Sequence, residues 1–510
     1  MSSDAPESAP SSTVDAGGHL PGLGQSAFKG FTLIAASTVG VKGFALLGQI
    51  IVARMLAPED FGMVALAYSV LAFTGVFEKN GLREVLVQRG GRFADHANAA
   101  FWMTLATGLL VAGATLAAIP FAVRLYRTPG LRSVLALLAL SITLLSLQSV
   151  PGARLQHDLR FRTLALVGVV ESLGLNVLAV ALAVLGAGVY SIVVPTLVVR
   201  AASLAWQWRL SRFVPALTLD RPRWRGLFGS SALLFGSSAL LAVQFGGASM
   251  VLGIFHDVTV VGIFSFSYNL SAQLTGLLTN NLWTVLLPTF SRLGKSPTLQ
   301  AAAFLRVARA ANLVGIPACF LLAAVADPAL RLLYGHRWEA AVPVVQIIAV
   351  GMAFNVSFTL SHNLLMAQGR YLALFWFNVW RVAGFMLLVG AGAWWGGAVA
   401  VGWATAVFAA VYGPAMTFLA LRPTGGTWQD VGGIHAAPLA VGGMACGLAA
   451  AAAGAVPVIG RQPWLHLASI PVLSLLAGLP LGRWLMRPTW DELADRLRRL
   501  LVSRPVRSVA

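Results

Sequence analysis

Phe61-Gly-Met-Val-Ala-Leu-Ala-Tyr68 lies over Val261-Gly-Ile-Phe-Ser-Phe-Ser-Tyr268 without a gap, at an offset of 200 residues. Identities continue around that stretch at Phe28/Phe228, Leu33/Leu233, Ser37/Ser237, Ala72/Ala272, Asn80/Asn280, Leu82/Leu282, Val85/Val285 and Leu86/Leu286. Apolar segments align easily by chance, so the Gly, Tyr, Asn and Ser pairs carry the signal. Each copy sits at the second apolar run of its half, and the offset covers six runs. An even number of crossings leaves both halves pointing the same way through a bilayer. Parallel repeats of this kind pack about an axis along the membrane normal, with a site between them.

The membrane itself follows from composition. Of 510 residues, 57% are hydrophobic and 11% charged, with a mean hydropathy of +0.78, whereas soluble domains carry about 25% charged residues. Roughly 20 consecutive apolar residues span a bilayer as a helix, which satisfies its backbone hydrogen bonds internally. Such runs fall at 31–53, 61–77, 99–123, 134–150, 164–187, 190–208, 230–254, 262–287, 310–326, 340–366, 371–394, 397–421, 436–459 and 465–485. They lack the alternation of barrel strands. The expected fold is an all-α polytopic membrane protein of about fourteen transmembrane helices. Its plan is a disordered cytoplasmic tail at 1–27, an N-lobe at 28–226, a C-lobe at 227–424, two appended helices at 425–487 and a cytoplasmic amphipathic tail at 488–510.

Orientation is read from the 36 Lys and Arg residues. With a cytoplasmic N-terminus, 26 of them fall on the cytoplasmic side, seven outside and three within spans, the asymmetry of the positive-inside rule. Both termini are therefore expected in the cytoplasm. The net charge of +18 is read as basic loops facing anionic headgroups, not as nucleic-acid binding. In the last segment Thr489 and Glu492 form a capping-box pattern, opening a helix with an apolar face suited to the membrane surface.

Cys319 and Cys446, the only cysteines, lie inside apolar runs, which excludes a disulfide framework and a thiolate metal site. No P-loop or His-Glu metal motif is present, and no loop is long enough for a catalytic domain, so neither catalytic nor metal-binding residues are expected. The informative polar residues are those deep in spans, where a charge costs about 2.5 to 3.5 kcal/mol and usually faces a cavity or a partner. Lys42, Arg200 and Arg381 are the deep cations and Glu171 the one deep acid. Glu171 and Arg200 lie at similar depth in adjacent spans, so either they form a buried pair or Glu171 serves ion coupling. Lys42 and Arg381 then stand without partners, which suits an anionic cargo. Ser265, Asn269, Gln273 and Asn280 recur at close to whole helical turns in the eighth span, beside Tyr268. Such a stripe suits sugars, and it equally serves to bond helices together.

Val52-Ala-Arg-Met-Leu-Ala-Pro-Glu-Asp-Phe-Gly62, followed by Gly81-Leu-Arg-Glu-Val-Leu-Val-Gln-Arg89, resembles the opening of polysaccharide transporters of the oligosaccharide flippase family (Wzx-type). Leu332-Leu-Tyr-Gly335 followed by Trp338 is similar to the same family. These flippases share the MOP superfamily with the multidrug MATE exporters and the lipid II flippase. The resemblance implies translocation of an undecaprenyl-pyrophosphate-linked oligosaccharide across a bacterial inner membrane for exopolysaccharide or lipopolysaccharide synthesis, by alternating access. It implies membrane lipids, a polymerase and glycosyltransferases as partners, and no cofactor beyond a proton or sodium gradient. It transfers no site residue directly onto Lys42, Arg200 or Arg381. The competing readings are a MATE-like drug exporter, whose cavity should carry surplus acid, and a membrane glycosyltransferase or polymerase, which should carry a long outer loop.

Overall fold

The computed structural model describes residues 42–74, 93–158, 160–216, 240, 243–244, 246–279, 283–294, 296–456, 462–487 and 491. The N-terminal tail, the C-terminal tail apart from residue 491, and Asn280 lie outside the described residues. Among these residues the regular structure is entirely helical. The helices are α1 (42–55), α2 (Pro58–Thr74), α3 (Phe93–Tyr126), α4 (Leu131–His157), α5 (Phe161–Val184) and α6 (Tyr190–Ser211), referred to below as the N-lobe. The C-lobe comprises α7 (Gly246–Phe255), α8 (Val258–Thr279), α9 (Trp283–Arg292), α10 (Pro297–Ala329), α11 (Val342–Met352), α12 (Asn355–Ala367), α13 (Tyr371–Trp395) and α14 (Ala398–Leu421). The appended pair, α15 (Trp428–Ala455) and α16 (Pro463–Leu485), packs against α10, with Ala449, Ala453 and Ile470 meeting Leu321, Ala324 and Val325.

Among the described residues, nine helical segments are long and apolar enough to cross a membrane. Helices α1, α2, α7 and α9 are described over too few residues to be counted, and α6 and α8 fall short in hydropathy. Both α6 and α8 carry polar residues on the wall of a central cavity, Arg200 on one and Ser265, Asn269 and Gln273 on the other, which lowers their hydropathy.

The repeat is visible in the packing. Helices α2 and α8 cross at their N-terminal ends, the end that the charge sorting places outside. Gly62 meets the carbonyl oxygen of Val258, and Gly262 meets that of Pro58. A methyl group on either glycine would overlap the facing oxygen. The two contacts are images of each other under the 200-residue offset, so one pair of glycines brings two backbones together at a pseudo-twofold axis.

Every residue of Pro58-Glu-Asp-Phe-Gly62 has an assignment at this crossing. Pro58 begins α2, where its missing N–H costs nothing. The Glu59 carboxylate accepts from the Thr259 hydroxyl at 2.9 Å, and the Asp60 carboxylate accepts from the Ala57 backbone N–H at 3.1 Å, capping the helix start. Phe61 packs edge-on to Phe266 and Trp338, with centroids at 5.8 and 5.1 Å. The second family-like motif reaches the same place. Gly335 adopts φ +86°, the left-handed region that favours glycine, and turns the chain so that Trp338 is wholly buried. The Trp338 indole donates to the Ala53 carbonyl at 2.7 Å, Arg337 donates to that of Met55, and Arg54 donates to that of Leu332. The two motifs, some 280 residues apart, thus pin the C-terminal end of α1 to the C-lobe.

Candidate functional site

Between the lobes lies a cavity of about 740 Å³. Its N-lobe wall comes from α1, α2, α4 and α6, and its C-lobe wall from Gln244, α7, α8 and Phe385 of α13. Phe61 and Phe266 belong both to this lining and to the aromatic cluster at the α2–α8 crossing, which seals the end that the charge sorting places outside, so they close the space there. A second space of about 30 Å³ adjoins it, sharing Gln244, Tyr268 and Phe385 and adding Asn355, Phe358, Arg381, Thr405 and Tyr412.

The eighth-span stripe faces this cavity: Ser265, Tyr268, Asn269 and Gln273 all line it. Their placement follows from helical periodicity, since residues four apart share a face. The Asn269 amide N–H donates to the Ser265 carbonyl at 2.8 Å, leaving its oxygen for the cavity. The Tyr268 ring stacks on Phe264, with centroids at 6.1 Å. Gln273 donates to Gln49 of α1 at 2.9 Å. The wall therefore offers amide donors and acceptors beside flat apolar rings.

Arg200 lines the cavity from the opposite lobe and donates to the carbonyl and hydroxyl oxygens of Ser141 at 3.3 and 3.4 Å. Arg381 sits in the small annex. It is 7% exposed, its Nε donates to the side-chain Oδ1 of Asn378 at 3.2 Å, and its guanidinium lies 4.9 Å from the centre of the Phe358 ring. Among the described residues no carboxylate lies within ion-pair distance of either arginine. The cavity lining carries no Asp or Glu among the described residues. A cation-selective exporter would need the opposite balance.

Two expectations are corrected. Glu171 does not pair with Arg200. One of its carboxylate oxygens accepts from Gln148 at 2.9 Å, from Gln207 at 3.5 Å and from the hydroxyl of Ser203. The register of the α5–α6 hairpin explains this. Gly174 packs against Val199, so positions equidistant from the turn meet, which sets Glu171 opposite Ser203 and leaves Arg200 about a turn farther out. Lys42 does not line the cavity. It stands at the start of α1 as described, seven residues before Gln49 and so about 10 Å along the axis from it. Gln49, Gln244 and Ser141 are lining residues that the sequence reading missed. Gln49 and Gln244 carry a visible signal, amides inside otherwise apolar runs, whereas a lone serine carries none.

A family described as polysaccharide biosynthesis proteins matches residues 51–343. The chain belongs to that family. It is 27% identical over 347 residues to the succinoglycan biosynthesis transport protein ExoT of Rhizobium meliloti (strain 1021), covering 68% of this chain and 70% of the relative. It is 21% identical over 387 residues to the lipopolysaccharide biosynthesis protein WzxC of Escherichia coli (strain K12), covering 74% and 77%. Its fold matches that of the lipid II flippase MurJ in an inward closed conformation, with a TM-score of 0.72, 14% identity and coverage of 90% of this chain and 99% of that one. It also matches an inward-facing multidrug MATE transporter, with a TM-score of 0.60, 13% identity and coverage of 75% and 94%. The family is one of polysaccharide biosynthesis proteins and the fold is shared with a flippase and a multidrug transporter, which sets aside the polymerase and glycosyltransferase readings.

Proposed function

We propose that this family member flips an undecaprenyl-pyrophosphate-linked oligosaccharide from the inner to the outer leaflet of the bacterial inner membrane, where a polymerase takes up the repeat unit. The observation that carries this reading is the interlobe cavity of about 740 Å³, with Arg200 on one wall, Arg381 in its annex and an amide and aromatic strip between them. Guanidinium groups without carboxylate partners bind a pyrophosphate or an acidic sugar through charge-assisted hydrogen bonds. Amides beside flat rings suit a glycan. The prenyl chain stays in lipid, and the lobes rock about the cavity by parting at the Gly62/Gly262 crossing.

All fourteen apolar runs are read as crossings, which leaves both termini in the cytoplasm. The polar knot around Glu171 is the first candidate for coupling to a proton or sodium gradient. The test is reconstitution. Proteoliposomes carrying a fluorescent polyprenyl-pyrophosphate oligosaccharide in the leaflet facing the medium should lose the glycan from the reach of an external glycosidase when the protein is present. Equal accessibility with and without the protein overturns the reading.

A further inference from the structure

Five hydrogen bonds join the lobes through side chains among the described residues. Four of them, Thr259 to Glu59, Trp338 to Ala53, Arg54 to Leu332 and Arg337 to Met55, lie at the outer seal. The fifth, from Gln273 to Gln49 at 2.9 Å, is the one in which both residues line the cavity. A molecule in the cavity can therefore reach the lobe contact directly at this pair.

The pair is also one-sided. Under the 200-residue offset the counterpart of Gln49 is Ser249 and that of Gln273 is Phe73. A phenyl ring carries no amide donor or acceptor, so the sequence does not repeat the amide pair in the related positions. The counterparts are a hydroxyl and a phenyl group, so the amide pair belongs to one seam alone. Each amide presents two N–H donors and an oxygen with two lone pairs, and the bond between them uses one donor of Gln273 and one lone pair of Gln49. Both residues line the cavity, so the remaining groups are within reach of what it holds.

Resting on the reading of a glycan cargo, we propose that Gln49 and Gln273 form a cargo-sensing latch: sugar hydroxyls compete for these amides, replace the bond between the lobes and release the outer end to open. A hydroxyl donates and accepts at once, so it satisfies both amides separately. The exchange conserves hydrogen bonds within each lobe while losing the one between them. A pyrophosphate, which only accepts, can bond the N–H groups but leaves the Gln49 oxygen without a donor.

The test measures lobe separation and binding together. Leu185, at the outer end of α5, and Trp395, at the outer end of α13, are 79% and 89% exposed. Both native cysteines are buried, so spin labels on L185C and W395C report the distance across the outer seal in proteoliposomes. Two probes are added: a polyprenyl pyrophosphate carrying a neutral oligosaccharide, and the same lipid without sugar. The glycan-bearing lipid should populate a longer distance, and the bare lipid should not. Q49M and Q273M, near-isosteric and each removing the bond from one side, should show the long distance without cargo, raised roughly fivefold, the shift expected from one hydrogen bond.

The latch is overturned if both variants match the parent, or if the bare lipid opens the seal as fully as the glycan-bearing one. In either result, binding of the lipids, seen as a raised melting temperature, keeps the flippase reading intact. If neither lipid binds, both readings fall together.

Discussion

Helices α5 and α13 occupy the same place in their two lobes and treat a buried charge in opposite ways. The correspondence is close. At an offset of 210, Arg160/Arg370, Leu164/Leu374, Val169/Val379, Gly174/Gly384, Leu178/Leu388, Ala181/Ala391 and Ala183/Ala393 are identical. Both arginines at 160 and 370 stand at the helix N-cap, and both glycines face the next helix of the hairpin, at Val199 and Tyr412. Ten residues into each helix the pattern splits: Glu171 in one lobe, Arg381 in the other.

Glu171 is held by three neutral donors from its own lobe. Arg381 keeps one neutral acceptor and an aromatic ring and lines the annex. A duplicated frame has thus tied one charge to side chains of its own lobe and set the other against a small space within the C-lobe that adjoins the cavity between the lobes.

The harshest test exchanges the two. E171R with R381E should abolish polymer export and lower membrane abundance, measured by polymer yield and by blotting of membranes. An arginine at 171 would face the N–H groups of Gln148 and Gln207, donor against donor, and a glutamate at 381 would lie over the negative face of the Phe358 ring. Normal export from the exchanged protein would show that only the net charge of the pair counts.

R381M is next. It should cut transport at least about tenfold, the worth of one charge-assisted bond of ~1.5 to 3 kcal/mol, while abundance and melting temperature hold. R381K should recover only part, because an ammonium lacks the planar fork. A melting point that falls in step with activity would make Arg381 a packing residue.

E171A should act through stability. Removing the acceptor leaves the Ser203 hydroxyl without its partner and Gln148 and Gln207 with the Ser203 oxygen alone, at a cost of about 1 to 3 kcal/mol, read as a lower melting temperature in detergent. E171Q restores an acceptor oxygen and most of that loss. A stable E171Q that no longer responds to an imposed proton gradient would move Glu171 from structure to coupling.

The contrast between the lobes was partly written in the chain. The offset of 200 exposed the duplication because the first two spans of each half need no gap, and the polar stripe on α8 obeyed helical spacing, so Tyr268, Asn269 and Gln273 were legible as one wall. The pairing of Glu171 was not. Depth along a helix is readable from residue counts, but the face it presents depends on hairpin register, and there Gly174 against Val199 decides. The latch was half hidden for a related reason. Gln49 stands as a lone amide in its run, and nothing local to either glutamine joins positions 224 residues apart. The family motifs were visible as patterns before their cause was. Pro58-Glu-Asp-Phe-Gly62 and Gly335 with Trp338 make sense only once the outer seal puts them against each other.

The smallest effect belongs to Lys42. Its central place in the first apolar run makes it a cavity residue on sequence alone, and K42A would then cost as much as R381M. The structure leads elsewhere. Lys42 falls on the same face of α1 as Gln49, since seven residues make nearly two turns, but it stands off the cavity wall toward the other end of the helix. A long, half-buried side chain there can meet an anionic cargo in transit without holding it at rest. K42A should therefore change transport by less than about twofold at saturating cargo, with a larger rise in the half-saturating concentration, because a charge that acts on approach governs encounter more than retention. Proteoliposome rates across a range of lipid-linked glycan concentrations separate the two. A loss in maximal rate as deep as that of R381M would return Lys42 to the cargo site and extend the cationic wall beyond the C-lobe annex.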